Sequence, residues 1–464
     1  MFQTLKNAWK IPELRNRLLF TLLIIVIYRL GSQIPMPWVN GAALQQTFDS
    51  MGGSALGWLN IMSGGALAQA TLFALSVSPY ITSSIVIQLL TVAIPAFEKW
   101  AKEGESGKKK LSLITRILTA VLALVTSIGY TMLLDTQGLL AVDGYSKGMK
   151  FFAMAVIVMC YCAGASLIMW LAERINEHGI GNGISIILFA NIITQLPTMA
   201  YGLYQLCFIK DGVLAQNANT GEVFYRGLGP MFESYGWQIF VGVLLCLLFV
   251  AILVAFIVAI VWFSNSERRI PIQYAKRVVG RKMYGGQSSS LPIKLDMTGV
   301  MPVIFSSSIV SILPTIAGFI PNTGFGKFVT NYLGTTTFPY IALFLILIVA
   351  FAYFYSMISF NPIEVANNLR NNGGAIPGIR PGKPTVDYIN KILHRITLLG
   401  AIFLCVLAGL PMIVNAIWYM IDGVGIPELT FSGTSLLIMV GVALETFREL
   451  EAQMTLRNYK GFLD

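Results

Sequence analysis

The chain has 464 residues, of which 55% are hydrophobic and only 12% are charged, and its mean hydropathy is +0.70. These values exclude a water-soluble globular protein and indicate an integral membrane protein. Apolar stretches of about 20 residues, long enough to cross the hydrocarbon layer as α-helices, recur along the sequence. Ten spans are predicted: 18–35, 61–96, 114–134, 149–171, 183–206, 238–263, 299–320, 337–360, 396–421 and 431–447.

The first span is predicted to be a retained helix rather than a cleaved signal peptide. No small-residue cleavage site follows it, and Arg29 lies inside its apolar run. We expect Arg29 to be an interfacial or helix-packing residue and not part of an ion relay. The strip before this span, "FQTLKNAWKIPELRNRLL", is amphipathic and is predicted to lie on the membrane surface.

The second span is predicted to be interrupted. Its stretch "SVSPYITSSIVIQLL" combines Pro79 with five hydroxyl side chains and follows the glycine-containing run "MSGGALAQATLFAL". An offset of 223 residues, from Pro79 to Pro302, superposes "PYITSSIVIQLL" on "PVIFSSSIVSIL", so that Ser83 also meets Ser306. The two stretches lie in the second and seventh spans, which fits a duplication of five helices in inverted orientation. Interrupted helices at matching positions of inverted halves are typical of membrane transport proteins.

The charge distribution predicts which side each loop occupies. The chain has 32 Lys and Arg residues and a net charge of +10. If the N-terminus is cytoplasmic, 26 of the 32 lie in cytoplasmic segments, five lie in external loops, and Arg29 lies in the membrane. Positive residues are enriched in cytoplasmic loops, so both termini are predicted to be cytoplasmic. The five cysteines show no disulfide or metal-ligand spacing and are expected to be small buried hydrophobes.

Several kinds of chemistry have no support in the sequence. Ion-coupled transporters need ionisable groups near the midplane, and the spans contain almost none. His178 and His394 lie in or beside cytoplasmic loops, so no histidine is placed to activate Ser166 as in an intramembrane protease. The run "EGESGKKK" lacks the spacing of a phosphate-binding loop. We therefore predict no catalytic residue, metal, cofactor or sequence-specific nucleic-acid site, and keep an inverted-repeat secondary transporter as the alternative to a channel.

Two cytoplasmic loops are larger than connectors require. The loop after the sixth span, "SNSERRIPIQYAKRVVGRKMYGGQSSSLPIK", alternates basic and apolar residues and has a turn signal at Gly285 and Gly286, which predicts an extended hairpin. The loop after the eighth span, "NPIEVANNLRNNGGAIPGIRPGKPTVDYINK", is rich in Gly, Pro and Asn. Together they are predicted to form a docking platform for a cytosolic partner. The external loop 207–236 could form a small hairpin, to which we assign no function.

Seven motifs in order along the chain resemble the SecY family, the channel subunits of the bacterial preprotein translocase. They are "SGGALAQATLFALSVSPYITSSIVIQLL", "EGESGKKK", "GIGNGISIILFANI", "RRIPIQYAKR", "PVIFSSSIV", "GAIPGIRPG" and "GTSLLIMVG". The resemblance implies an all-α protein of the bacterial plasma (inner) membrane, with two inverted five-helix halves forming a clamshell around a central pore. It implies a channel that translocates unfolded preproteins and releases transmembrane segments sideways into lipid. The implied partners are SecE, SecG, the SecA motor ATPase, the ribosome and the signal-recognition-particle receptor, which leaves ATP hydrolysis or translation to partners.

The resemblance also implies roles for individual residues. An aliphatic pore ring would comprise Val77, Ile81, Ile184, Leu188, Ile304 and Ile438. A plug at about residues 60–73 would include Asn60, Ile61, Met62, Ser63, Gly64, Gly65, Ala66 and Leu67. A lateral gate would be lined by Ser83, Ser84, Gln88, Ser306, Ser307 and Ser308. Docking of the motor and ribosome would involve Arg268, Arg269, Tyr274, Lys276, Arg277, Arg380 and Tyr459.

The expected organisation follows from these assignments. A cytoplasmic amphipathic segment, 1–17, precedes an N-terminal half of five helices at 18–206. After the external loop 207–236, a C-terminal half at 237–447 contains the cytoplasmic loops 264–297 and 361–395. Residues 448–464 form a cytoplasmic tail.

Overall fold

The structure, a computed structural model, describes residues 6, 8–41, 43–45, 60, 62–141, 146–208, 213–216, 223–226, 238–274, 277–279, 282–284, 288–319, 323–334, 337–422 and 432–460. The main helices are α1 (Pro12–Gly31), α2 (Ser78–Ala93), α3 (Pro95–Lys102), α4 (Glu105–Thr136), α5 (Lys147–His178), α6 (Gly183–Phe208), α7 (Gln238–Asn265), α8 (Met301–Phe319), α9 (Gly324–Tyr332), α10 (Phe338–Ser359), α11 (Pro362–Asn371), α12 (Lys383–Asp422) and α13 (Ser432–Lys460). The strands are β1 (Val213–Gln216), β2 (Val223–Arg226), β3 (Glu267–Tyr274), β4 (Arg277–Val279), β5 (Lys282–Tyr284), β6 (Ser288–Lys294) and β7 (Gly374–Ala375).

Ten of these helices follow the ten predicted spans in order: α1, α2, α4, α5, α6, α7, α8, α10, α12 and α13. Within the described residues, five stretches could each cross a membrane by length and composition alone, in α4, α5, α7, α10 with α11, and α12, and the bent pair of α2 and α3 makes a sixth if it is one span. The remaining four differ for local reasons. The apolar parts of α6 and α8 are shorter, at Gly183–Thr198 and Met301–Ala317, α1 carries charged residues at both ends, and α13 carries them in its second half.

The interruption predicted for the second span is confirmed. Residues 64–70 and 72–77 form turns, and Gly64 and Gly65 take positive φ values of 69° and 89°, which a glycine adopts without strain. Pro79 and Pro302 are each the second residue of their helix, where the missing N–H has no intrahelical partner to lose. After Ala93 the chain turns by 101° into the short helix α3.

The core of the protein spans both halves of the chain. One cluster of buried side chains draws on α1, α2, α5, α6, α7, α8, α10, α12 and α13, and α2 and α8 pack directly against each other. A second cluster lies within the N-terminal half, where Tyr130 of α4 and Tyr161 of α5 meet edge to face at 5.4 Å between ring centroids. The arrangement therefore places the two repeated helices at the contact between halves.

The N-terminal strip leads into α1 and also packs against other parts of the chain. Ala8 and Leu14 form a small buried cluster with Ile180, between α5 and α6, and with Leu450 of α13. The N-terminal segment and the last helix therefore meet at one end of the bundle, as an even number of spans requires.

The two predicted hairpins are confirmed. β3 pairs antiparallel with β6 from Glu267 opposite Lys294 to Gln273 opposite Ser288, and β1 pairs antiparallel with β2 in the external loop. Gly285 and Gly286, the expected turn, lie outside the described residues. The short strand β7 adds to β3, giving a three-stranded sheet in the order β6-β3-β7.

Candidate channel site

A buried apolar cluster forms where both halves meet. It receives side chains from the start of α2, from α6, from α8 and from α13. The predicted ring residues Val77 and Ile81, at the start of α2, are four residues apart, and so are Ile184 and Leu188 of α6. Each pair therefore lies on one helical face. The predicted ring residues all belong to this cluster or pack against it, and all but Ile184 have exposed fractions of 2% or less: Val77, Ile81, Ile184, Leu188, Ile304 and Ile438.

The segment predicted as a plug fills the space beside this cluster. Its helical part is short, because Gly64 and Gly65 turn the chain. Asn60 stabilises that turn, since its Oδ1 accepts a hydrogen bond of 2.9 Å from the Ala68 N–H. On the α4 side the Tyr130 hydroxyl donates to the Leu67 carbonyl at 2.7 Å. Ile61 lies outside the described residues.

Asn191 of α6 bonds to this segment, and Arg29 of α1 bonds to α6 beside it; the sequence predicts packing for Arg29 but indicates no role for Asn191. Asn191 Nδ2 donates to the Met62 carbonyl at 2.7 Å and to Ser76 Oγ at 3.2 Å. Arg29 donates to the Ala190 carbonyl and, at 2.9 Å, to Thr194 Oγ1. We call Arg29, Asn191 and Thr194 the polar clamp. An arginine within an apolar run and an asparagine within "SIILFANI" were the available signals.

Glycine is needed where the clamp meets the plug. A Cβ on Gly64 would lie 2.9 Å from an Arg29 guanidinium nitrogen and 3.1 Å from Asn191 Oδ1. The positive φ of 69° adds strain for any other residue. Arg29 is therefore a helix-packing residue, as the sequence predicts. Its guanidinium donates to α6 and lies beside Gly64 of the predicted plug.

The serines of the predicted gate bond within their own helices. Ser83 Oγ donates to the Pro79 carbonyl at 2.5 Å, and its repeat partner Ser306 donates to the Pro302 carbonyl at 2.6 Å. Ser307 and Ser308 both donate to the Ile304 carbonyl at 2.8 Å. Such bonds to a preceding turn satisfy a hydroxyl without a partner helix.

Ser83 also has a partner outside α2. Its hydroxyl shares a 2.6 Å hydrogen bond with the Thr119 hydroxyl of α4, and it is fully buried. The structure therefore directs Ser83 toward α4, while Ser84 and Gln88 remain half-buried on α2. Gln88 Nε2 is 3.5 Å from Ser84 Oγ.

A tyrosine on α10 connects the two repeated helices. The Tyr355 hydroxyl donates to Gln88 Oε1 of α2, and its ring lies 5.1 Å from the ring of Phe305 on α8. One side chain therefore contacts both repeated helices, α2 and α8, and bridges the halves. Its position in the apolar run "FAYFYSMIS" carries no periodic signal that distinguishes it from core packing.

The two large cytoplasmic loops are joined into one body. Gln273 and Tyr274 of β3 pair with Ala375 and Gly374 of β7, and a buried cluster beneath them combines both loops, with Ile270, Ile272, Ile293, Leu369, Ile376, Ile389 and Ile396. The sheet gives the predicted docking platform a shared core instead of two independent loops.

Four of the seven predicted docking residues are described on this body. Arg268 and Arg269 are exposed on β3, and Arg269 pairs with Glu267 at 2.6 Å. Arg380 is exposed in the turn before α12, and its carbonyl accepts a hydrogen bond of 2.9 Å from Thr385. Tyr274 is half-buried against Gly374. Lys276 lies outside the described residues, as do the side chains of Arg277 and Tyr459.

A polar junction ties the base of the hairpin to α13. Arg448 donates to the Ser264 carbonyl and, at 3.0 Å, to Asn265 Oδ1. Ser264 Oγ donates to Asp296 Oδ2 at 3.0 Å. Burial raises the pKa of the Asp296 carboxyl, an effect that the Ser264 hydrogen bond and the Arg448 charge partly oppose. Arg448 lies ten residues after Ile438 on α13, so the junction and the apolar cluster share one helix.

Comparison with known proteins agrees with this architecture. The SecY family profile matches residues 71–447. The protein translocase subunit SecY of Streptomyces coelicolor is 41% identical over 472 residues, and that of Bacillus subtilis is 38% identical over 467 residues, with 100% of both chains covered in each case.

Solved structures show the same fold. A protein-conducting channel aligns with a TM-score of 0.55 at 16% identity, covering 95% of this chain and 92% of the other. Sec61 from a canine ribosome-channel complex of the endoplasmic reticulum aligns with a TM-score of 0.53 at 14% identity, with the same coverage. The family match and the full-length relatives decide against the secondary-transporter alternative. Given its ten-helix arrangement and its full-length identity to bacterial relatives, the chain belongs to the SecY family of protein translocase subunits.

Proposed function

We propose that this SecY-family subunit is a protein-conducting channel of the bacterial plasma membrane, which passes unfolded preproteins and releases apolar segments sideways into lipid. The observation that supports it best is the aliphatic cluster between the halves, which packs beside the clamped segment before α2. Branched aliphatic side chains around a narrow path exclude water and ions by dewetting. They also offer no fixed hydrogen bond that would select one passing sequence over another.

In this proposal residues 60–73 are a plug that leaves when a preprotein arrives. Hydrogen bonds between membrane helices contribute about 0.6 kcal/mol on average and rarely more than about 1.7 kcal/mol. The bonds from Asn191 and Tyr130 to the plug backbone are therefore strong enough to seat the plug and weak enough for an incoming chain to replace.

The lateral gate lies between α2 and α8, with α10 as a third member. Tyr355 holds the closed arrangement through its hydrogen bond to Gln88 and its contact with Phe305. An apolar signal sequence entering between the helices would replace contacts of similar strength. Ser306, Ser307 and Ser308 keep their hydrogen bonds in this exchange, because their hydroxyls donate within α8.

The joined cytoplasmic loops are the docking surface for the machinery that supplies energy. The exposed Arg268, Arg269 and Arg380 suit the SecA motor, the ribosome and the signal-recognition-particle receptor, with ATP hydrolysis or translation performed by those partners. Sec61, a structural neighbour, was solved in a ribosome-channel complex. The excess of positive residues in these loops supports a cytoplasmic location for both termini, and in this proposal SecE and SecG complete the membrane complex.

Reconstitution tests the proposal. The chain, with SecE in liposomes and SecA outside, is expected to import an unfolded preprotein when ATP is added. The double variant Ile81→Asn, Ile304→Asn should raise ion leak and admit preproteins with defective signal sequences, whereas Ile81→Val, Ile304→Val should behave as the wild type. Equal leak and equal stringency in both double variants would refute the pore assignment.

A further inference from the structure

The short helix α9 follows the gate helix α8. Thr323 begins it by accepting a hydrogen bond of 3.1 Å from the Gly326 N–H, and the Leu333 N–H closes it on the Val329 carbonyl at 2.7 Å. α9 packs against α8, and Val329, with an exposed fraction of 1%, lies on its inner side. It is therefore a seated helix with a defined outer side.

The side of α9 next to Val329 is aromatic and exposed. Phe325, Phe328 and Tyr332 have exposed fractions of 45%, 57% and 59%, and their spacings of three and four residues place them on one helical face. The rings of Phe328 and Tyr332 lie 5.1 Å apart. Lys327 is also exposed, but at about 100° per residue it points well away from the aromatic face.

The helices before and after α9 also expose apolar side chains. α8 exposes Ile312, Leu313 and Ile316, and α10, which begins after α9, exposes Phe338 at its first turn. α9 thus lies between the ends of two membrane-spanning helices. Helices with an aromatic face, a cation on another face and a position at the end of a span lie in the headgroup region of a membrane.

The repeat supplies a parallel observation. α2 also continues into a short helix, α3, after a bend of 101°, and α3 carries Phe97 and Trp100 with ring centroids 5.2 Å apart. Because α2 is the second span and α8 the seventh, the two cross the membrane in opposite directions. Each gate helix therefore ends in a short aromatic helix, at opposite ends of the bundle.

We propose that α9 is a lipid-binding helix, which inserts Phe325, Phe328 and Tyr332 among phospholipid headgroups and acyl chains and so holds the end of α8 at the membrane surface. Lys327 faces the phosphate and water layer. The inference rests on membrane embedding, which family membership shows, and is independent of the pore and gate assignments.

Photocrosslinking tests the contact directly. p-Benzoylphenylalanine replaces Phe328 in one variant and Lys327 in a control on the same helix, and each full chain is reconstituted with SecE in vesicles of phosphatidylethanolamine and phosphatidylglycerol that carry clickable acyl chains. Both sites are exposed, so neither replacement disturbs the core. After irradiation we expect about fivefold more lipid adduct at position 328 than at 327, as interfacial aromatics lie deeper than cations.

Two outcomes would overturn the proposal. Equal lipid labelling at 327 and 328 would show that the aromatic face does not enter the bilayer. Adducts from position 328 to another polypeptide would make the face a protein interface instead. Because the readout is lipid adduct and not transport, either outcome would leave the channel proposal standing.

Discussion

Removal of the Tyr355 hydroxyl should loosen the closed gate. Tyr355→Phe keeps the ring on Phe305 and deletes only the hydrogen bond to Gln88. A hydrogen bond between membrane helices contributes about 0.6 to 1.7 kcal/mol, and about 1 kcal/mol changes a two-state ratio about fivefold. We therefore expect about a fivefold rise in the open fraction.

The measurement is the open probability of single channels in planar bilayers, together with import of a preprotein that has a defective signal sequence. Tyr353→Phe is the matched control, because that hydroxyl lies on the same helix but is 3.5 Å from the His394 carbonyl, away from α2. Gln88→Met should mimic Tyr355→Phe, and the double variant should add nothing further. An open probability equal to that of Tyr353→Phe, or fully additive single effects, would refute the bridge.

Three further predictions concern the plug, the hairpin base and the platform. Asn191→Leu removes the hydrogen bonds to the Met62 carbonyl and the Ser76 hydroxyl and should raise chloride efflux from resting liposomes about eightfold, at about 0.6 kcal/mol per bond; unchanged efflux would contradict the clamp. The raised pKa of Asp296 means that the folded protein binds its proton more tightly than the unfolded chain, so stability should fall as pH rises from about 3.9 through the raised value. Asp296→Asn should remove that fall, and melting curves with the same pH dependence in both proteins would argue against it. Arg380→Glu should abolish SecA-driven import while folded protein remains in the membrane. Lys383→Glu, at a residue that is also exposed, should import normally. Equal loss of import in both variants would show that Arg380 contributes only to the overall positive charge of the surface.

The helices and the broken span could be predicted because their causes are local. Apolar length, a proline at the second helical position and adjacent glycines act over a few residues. The internal repeat matched Ile81 with Ile304 without any family knowledge. The other ring residues came from the resemblance alone, since a valine or leucine facing a pore looks the same in sequence as one in a core.

The polar contacts of the site could not be predicted from patterns. Arg29 and Ala190 are 161 residues apart, and Tyr355 and Gln88 are 267 residues apart, so periodicity along one helix carries no information about either pair. The same limit applies to β7. Its two residues complete the platform sheet, but a two-residue strand is too short to show an alternation of polar and apolar side chains. The hydrogen-bond partners of the serines are also not visible in the sequence: Ser83 and Ser306 each donate to a carbonyl of their own helix.

The matched bonds from Ser83 to Pro79 and from Ser306 to Pro302 bear on what the two helices can face. Because these two hydroxyls already have acceptors in their own helices, their hydrogen bonding does not depend on the neighbour, whether that is the other helix, a passing polypeptide, water or an acyl chain. If the helices part as proposed, these two hydroxyls keep their partners in hydrocarbon, where an unpaired polar group would cost several kcal/mol. The hydrogen bond from Tyr355 to Gln88 would then be the gate contact that an incoming chain or lipid has to replace.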